Sequence, residues 1–142
     1  MTTELPWTID THILVYATEV DAPAEKQRVA KQLLKRLTLS PQACLPGQVL
    51  SEFMNVVLRK KAMSSAQAFE AVSLLSQAAR VLGASQQAYQ EAWKLVVKHK
   101  YQVWDALIVA ICAEHGVKTL YSEDAGSLKR PLGVQVINPF AP

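Results

Sequence analysis

Four short, apolar, β-type runs separated by helical stretches constrain the fold of this chain more than any other feature of its sequence. The runs lie at residues 7–9, 42–45, 117–122 and 134–138. Strands that alternate with helices tend to pair in parallel, because a parallel pair needs a long crossover connection and a helix can provide it. The sequence therefore predicts an α/β/α sandwich with a short, mainly parallel central sheet of four or five strands.

The remaining stretches carry helical patterns. Helices are predicted at residues 11–19, 23–39, 47–61, 64–79, 86–100 and 104–116. In the second of these, Val29, Leu33 and Leu37 recur at helical spacing with basic residues opposite. The last is apolar on every side after Asp105 and ends at Gly116, as a buried helix does. Since no repeat, low-complexity tract or linker interrupts the pattern, residues 1–142 are predicted to form one domain.

The composition is that of a folded globular protein, with 50% hydrophobic and 19% charged residues. The longest apolar run, residues 106–113, is too short to span a bilayer, and no secretory signal follows Met1. Cys44 and Cys112 both lie in apolar segments, so we expect buried thiols rather than a disulfide. The expectation is a cytoplasmic protein with no membrane association.

Three of the four aspartates adjoin strongly apolar segments, where an ionised group is costly unless it is paired or bound to a cation. Asp10 and Asp124 come after β-type runs, and Asp105 stands at the start of the most apolar helix. Glu52 lies at the border of the apolar face of its predicted helix. Ligands of parallel α/β sheets gather beyond the carboxyl ends of the strands. We therefore expect these four carboxylates to converge on one rim of the sheet.

A cluster of four carboxylates requires a cation, because the groups repel one another at short range. Ligand sets made only of oxygen select hard ions, so Mg²⁺, or alternatively Mn²⁺, is expected rather than zinc. The three histidines are scattered, and His12 alone lies near a proposed ligand. Two roles stay open for His12, an ordinary helix or surface residue and a substrate contact.

Each acid also has a purely structural interpretation. Asp10 and Asp105 suit the capping of the helices that follow them, and Asp124 suits a turn in SEDAGS. Glu52 can extend into solvent from the edge of its helix. The occurrence of all four together favours the metal site. A receiver-like domain with Asp10 as phosphoacceptor is disfavoured, because residue 9 is Ile and residue 12 is His where an acidic partner and a lysine are needed.

Five segments resemble, in order and spacing, the motif set of PIN-domain proteins, in particular the VapC-type toxins of bacterial toxin–antitoxin pairs. The segments are TIDTHILVY, LSEF, WDALIVA, LYSEDAG and VINPF, and together they span nearly the whole chain. The resemblance implies a PIN-like fold and a metal-dependent endoribonuclease. It places the catalytic and metal-binding acids at Asp10, Glu52, Asp105 and Asp124, and the hydroxyl groups that orient these ligands at Thr11 and Ser122.

The chain departs from the family pattern at two positions. His12 stands where the family usually has Asn, and Ala125 stands where a Leu or Phe commonly follows the last acid. Neither change removes a carboxylate. Glu123 remains the alternative to Asp124 as the fourth acid, and the motif alignment favours Asp124.

The resemblance also implies an RNA substrate, a homodimer and a cognate VapB-like antitoxin that occludes the site. Setting the four acids aside leaves 8 acidic residues against 15 Lys and Arg, a balance that suits a polyanionic substrate. The basic residues that flank the acidic motifs are expected to contact phosphates: Lys98, Lys100, Lys129 and Arg130. The alternatives are a catalytically silent PIN-like module that binds RNA or protein, and a DNA-directed nuclease with related chemistry.

Overall fold

The computed structural model describes residues 4–19, 21–126, 128 and 131–141. Within these residues the chain forms five strands and six α-helices. In chain order they are β1 (Trp7–Ile9), α1 (Thr11–Thr18), α2 (Ala24–Leu39), β2 (Cys44–Pro46), α3 (Gly47–Arg59), α4 (Ser65–Ala78), β3 (Arg80–Leu82), α5 (Gln86–His99), α6 (Val103–Glu114), β4 (Thr119–Tyr121) and β5 (Gln135–Ile137). Short 3₁₀ segments at Glu123–Gly126 and Pro131–Gly133 lie between β4 and β5.

All of the strand pairs in the described residues are parallel. Strand β4 lies between β1 and β5, and β2 pairs separately with β3. A parallel bridge between Trp7 and Ala43 joins the two ladders at β1 and β2. The predicted α/β class with a short parallel sheet is confirmed. Strand β3 lies outside the four predicted runs, and of its three residues only Leu82 is buried.

The core consists of the strand side chains and the apolar faces of the helices. Helix α6 is buried from Ala106 to Cys112, which confirms the interpretation of its sequence as a central helix. It packs against α5, while α1 packs against α2 and α3. Cys44 and Cys112 are buried and free, as expected. None of the helices in the described part of the chain is both long and apolar enough to cross a membrane.

The parallel pairing of β1 with β4 brings two chain segments to one edge of the sheet. Ile9, the last residue of β1, is paired with Tyr121, the last residue of β4. The next residue along, Asp10, continues this ladder by donating its backbone N–H to the Tyr121 carbonyl at 3.0 Å. Asp10 and Ser122 therefore leave the sheet side by side, which positions the residues described next.

Candidate active site

Asp10 caps a helix, and its carboxylate is buried, which disfavours the charged form. Its side chain caps α1, with Oδ1 accepting the Ile13 backbone N–H at 3.3 Å. The group is only 8% exposed. Burial raises the pKa of Asp10 to about 6, and the charge of Asp124 adds to the rise, whereas a Ser122 hydrogen bond and the nearby His12 oppose it. A buried carboxylate of raised pKa beside further acids is typical of a functional site.

Asp124 and His12 lie against Asp10. One ligand atom from each of the three side chains lies within 4.8 Å of the other two. Ions bound by oxygen at ~2.0–2.6 Å hold their ligands no more than ~5 Å apart, so this spacing fits a shared cation. The Ser122 hydroxyl oxygen accepts the Asp124 backbone N–H at 3.0 Å and also hydrogen-bonds to Asp10. Ser122 thus contacts the Asp10 side chain and the Asp124 backbone.

Glu52 and Asp105 approach the same place from helices α3 and α6. Burial raises the pKa of Asp105, and the charges of Asp124 and Glu52 raise it further. Glu52 Oε2 accepts a hydrogen bond from the Thr11 hydroxyl at 3.0 Å. Its Oε1 accepts another from Gln48 Nε2 at 2.7 Å. The four predicted acids therefore form one electrostatically connected group, supported by the two predicted hydroxyl residues.

Two cavities meet at Asp105. One has a volume of about 190 Å³, and its polar lining includes Asp10, His12, Glu52, Arg59, Lys60 and Asp105. The other has a volume of about 350 Å³, and its lining includes His99, Lys100, Tyr101, Asp105 and Asp124. The acids thus lie along a depression that carries basic side chains on both sides.

The family assignment comes from comparison with known proteins. The family profile of the PIN domain matches residues 8–131, a range that contains all four acids. The chain belongs to the PIN-domain family. A comparison with curated protein sequences finds no match.

Solved structures share the fold of this PIN domain at low sequence identity. The sarcin–ricin-loop-cleaving toxin VapC20 of Mycobacterium tuberculosis has a TM-score of 0.69 at 22% identity, covering 85% of this chain and 92% of that one. A toxin–antitoxin complex from Klebsiella pneumoniae gives a TM-score of 0.66 at 21% identity, with coverage of 93% and 96%. A DNA-bound VapBC from Salmonella typhimurium gives 0.69 at 14% identity, with coverage of 96% and 99%.

Glu123 and Asp124, the two candidates for the fourth acid, have different partners. The Tyr16 hydroxyl donates to Glu123 Oε1 at 2.5 Å, and Lys26 Nζ donates to its Oε2 at 2.5 Å. Glu123 is therefore engaged by α1 and α2, whereas Asp124 lies with Asp10. The geometry favours Asp124, in agreement with the motif alignment.

The structural interpretations of the other two aspartates have different outcomes. Asp10 does cap α1, so it has both the structural role and the place in the cluster. Asp105 does not cap its helix, so its structural interpretation is wrong. Helix α6 begins at Val103 with Gln102 at the cap position, and Asp105 lies within its first turn.

Of the predicted phosphate contacts, one lies at the site, one lies elsewhere, and two are not described by the structure. Lys100 lines the second cavity. Lys98 instead lines a separate hollow on α5 with Trp93 and Val97, because it lies within the helix, whereas Lys100 follows the end of the helix in a left-handed conformation. Lys129 and Arg130 lie outside the described residues.

The cations that line the first cavity, Arg59 and Lys60, were not among the four predicted phosphate contacts. Arg59 and Lys60 lie at the end of α3, seven and eight residues after Glu52. Two helical turns separate these positions, so they share a face with the acid. That spacing was a signal available in the sequence.

The residues at the site fit a divalent cation. The carboxylates of Asp10 and Asp124 are close enough to share an ion, and their mutual repulsion needs a positive charge to offset it. The pKa values of Asp10 and Asp105 are raised chiefly by burial, and the charge of Asp124 raises both further. Oxygen donors fit Mg²⁺ or Mn²⁺, and the His12 imidazole adds one nitrogen donor to the set.

Proposed function

We propose that the whole chain, residues 1–142, is a single PIN-like nuclease domain acting as a Mg²⁺- or Mn²⁺-dependent endoribonuclease, the toxin of a type II toxin–antitoxin pair. One observation carries the proposal. Acids from the ends of β1 and β4 and from helices α3 and α6 converge at one sheet edge, between cavities lined with cations. Like charges that separate chain segments bring to one place repel one another unless a cation is bound.

The mechanism divides the work between the acids and the groups that hold them. Asp10, Asp105 and Asp124 would hold the ion, with Glu52 beside them. When bound, such an ion activates a water for attack on phosphorus and offsets the charge of the leaving oxygen. Thr11 fixes Glu52, and Ser122 fixes Asp10 together with the backbone of Asp124. No histidine is needed as a general base.

Binding of the polyanionic substrate falls to the cations around the acids. Arg59 and Lys60 lie on one side of Asp105 and Lys100 on the other. A backbone that crosses the cluster would therefore meet positive charge before and after the bond to be cleaved. RNA is proposed as the substrate because the structural neighbours include a toxin described as cleaving the sarcin–ricin loop.

The structural neighbours also support a protein partner, since several are toxin–antitoxin complexes. We propose a VapB-like antitoxin that occludes the acids, for which an arginine side chain is well suited, and a homodimer of the chain. Helix α4 offers apolar surface for such contacts, with Phe69 68% exposed and Leu74 59% exposed. A toxin of this kind would act on RNA in the cytoplasm.

The test is cleavage of total RNA by the purified protein with Mg²⁺, with Mn²⁺ or with EDTA, followed by mapping of the cut ends. Asp124→Asn and its neighbour Glu123→Gln form a matched pair. Loss of a direct ligand in Asp124→Asn should reduce cleavage by more than the ~10–100-fold that loss of an outer-shell partner costs. Glu123→Gln should stay within a few-fold of the wild type, because Glu123 is engaged by Tyr16 and Lys26.

The outcomes distinguish the proposed endoribonuclease from the alternative functions. RNA binding without cleavage under any metal condition would instead identify a silent RNA-binding module. Cleavage of DNA in preference to RNA would identify a DNA-directed nuclease. Equal losses in the two variants would remove Asp124 from the ligand set.

A further inference from the structure

Trp104 is an aromatic side chain left in water at the edge of the acid cluster. It directly precedes Asp105 in the first turn of α6, and it is 62% exposed. It lines the same cavity as Asp10, Glu52 and Asp105. An indole this exposed contributes little to the core, and its position beside the carboxylates leaves its ring open to contact by a ligand.

The backbone of Trp104 is tied to the site by one side chain. Gln48 Nε2 donates to the Trp104 carbonyl at 3.0 Å and to Glu52 Oε1 at 2.7 Å. The segment that carries the indole is therefore held to a carboxylate of the site. A group that stacks on this indole would be held at a set distance from the reacting phosphate, as positioning of a substrate requires.

The charges around Trp104 indicate what kind of ligand the indole contacts. Arg59 and Lys60 line the same cavity, and Lys60 also pairs with Glu19 at 2.5 Å. A nucleotide presents a phosphate to such cations and a flat base to an aromatic ring. An apolar anchor from a protein partner would instead offer these cations no anionic group.

Aromatic rings are also present on the other side of Asp105. Tyr101 lines the second cavity, with its ring 5.7 Å from the ring of His99 and inclined to it by 34°. A strand that crosses the acids would meet Trp104 before them and Tyr101 after them, or the reverse. Bases can stack on protein rings only when they are not stacked within a helix.

We propose that Trp104 forms a base-stacking subsite that holds a nucleobase beside the cleaved bond. The inference rests on the proposed nuclease function and deepens it. Trp104 is a positioning residue here, because it contacts the base and not the reacting atoms.

Fluorescence tests for contact directly, in the full chain made inactive by Asp10→Asn. Trp93 is 56% exposed on α5 and away from the acids, whereas Trp7 is 1% exposed, so the chain offers a matched control. With Trp93→Phe, titration with a mixed-sequence single-stranded RNA oligonucleotide should quench the emission of Trp104. With Trp104→Phe, which keeps Trp93, the same titration should leave the emission unchanged. Quenching of Trp93 alone would overturn the subsite.

Kinetics then test what the contact does. Trp104→Ala should lower kcat/KM for single-stranded RNA by roughly 5- to 150-fold, the range expected for loss of one base–aromatic stack. Trp104→Phe should restore most of the activity, and Trp93→Ala should match the wild type. RNA that lacks one base beside the mapped cut should be cleaved poorly by the wild type, and Trp104→Ala should cause no further loss on it. Equal losses on intact and abasic RNA would show a structural role and overturn the proposal.

The same experiments distinguish failure of the subsite from failure of the nuclease. Metal-dependent cleavage that is indifferent to Trp104 and to the abasic position overturns the subsite and leaves the nuclease intact. Quenching of Trp104 by RNA, without cleavage under any metal condition, overturns the nuclease and leaves the base contact. A Trp104→Ala variant that cleaves normally but escapes its protein inhibitor would assign the indole to a protein partner and overturn the subsite.

Discussion

At the scale of single residues, Asp10 has an electrostatic cost that can be measured. Below the ordinary pKa of 3.8 the carboxyl is protonated and uncharged in the folded and unfolded chains alike, so its burial carries no electrostatic cost. As the pH rises through the folded pKa of about 6, the folded state must hold a buried charge. The metal-free protein is therefore more stable at low pH. It loses this part of its unfolding free energy as the pH rises from the ordinary pKa of 3.8 through the folded pKa of about 6.

We expect Asp10→Asn to remove this dependence. Asparagine keeps an oxygen that caps α1, so the helix should be retained while the charge is lost. In EDTA, the variant should gain stability over the wild type as the pH rises from about 4 to 7, by up to about 3 kcal/mol at one pKa unit per 1.36 kcal/mol. Urea unfolding of both proteins across that range measures the difference. A difference that does not change with pH would show that Asp10 is not the source.

His12 gives the site a nitrogen donor where the family usually has an amide. An imidazole raises affinity for transition-metal ions more than for Mg²⁺. We expect His12→Asn to weaken binding of Mn²⁺ more than binding of Mg²⁺, measured by titration calorimetry on the protein without RNA. Equal weakening of both ions, or none, would place His12 outside the ligand set. Mn²⁺ electron spin echo spectra provide an independent check, since a bound imidazole nitrogen modulates the echo and the asparagine variant should lack that modulation.

At the scale of elements, the sequence predicted what depends on apolar patterning. The run that became β1 is followed by Asp10, the run that became β4 by Glu123 and Asp124, and residues 106–112 are apolar on every side after Asp105, so these candidate acids were identifiable from local sequence. Strand β3 could not be identified from apolar patterning, because Arg80 and Val81 are exposed and, of its residues, Leu82 alone contributes to the core.

The roles of residues that depend on contacts between helices and strands could not be predicted from local sequence. Gln48 is an ordinary polar residue of α3 until α6 is placed beside it, and Trp104 reads as an apolar residue of α6 until its exposure is known. Lys98 and Lys100 look equivalent in sequence, yet only Lys100 lies after the end of α5, in a left-handed conformation, beside the acids. Tertiary placement decides these cases.

The contact between α3 and α6 depends on Gln48. Its Nε2 serves both Glu52 and the Trp104 carbonyl, so Gln48→Met, which keeps the length and removes the donor, should leave both acceptors without this partner. We expect a loss of about 1–3 kcal/mol of unfolding free energy. A double-mutant cycle with Glu52→Gln isolates the bond to the carboxylate, and additive effects would show that the two side chains are not coupled. Gln77→Met, at an exposed position of α4, controls for a general effect of the substitution.

At the scale of the whole molecule, the acidic and the basic residues have different roles. The chain has a formal net charge of +3, although its proposed catalytic site is made of carboxylates. Attraction of RNA must therefore come from the surrounding cations, while the acids repel phosphate until a metal is bound. Binding in the absence of metal should be weak and strongly dependent on salt.

This division of charge predicts which lysine near the end of α5 matters. Each phosphate contact contributes a slope of about −0.7 to the logarithm of the affinity for single-stranded nucleic acid against the logarithm of salt concentration. In the Asp10→Asn background, Lys100→Gln should weaken RNA binding and reduce the slope by about that amount, because Lys100 lines the cavity of Asp105 and Asp124. Lys98→Gln should leave both quantities unchanged, since Lys98 lines the separate hollow on α5. The measurement is RNA binding between ~50 and 200 mM salt. If Lys98 changes the slope and Lys100 does not, RNA follows α5 rather than the path across the acids, and the proposed position of the substrate is wrong.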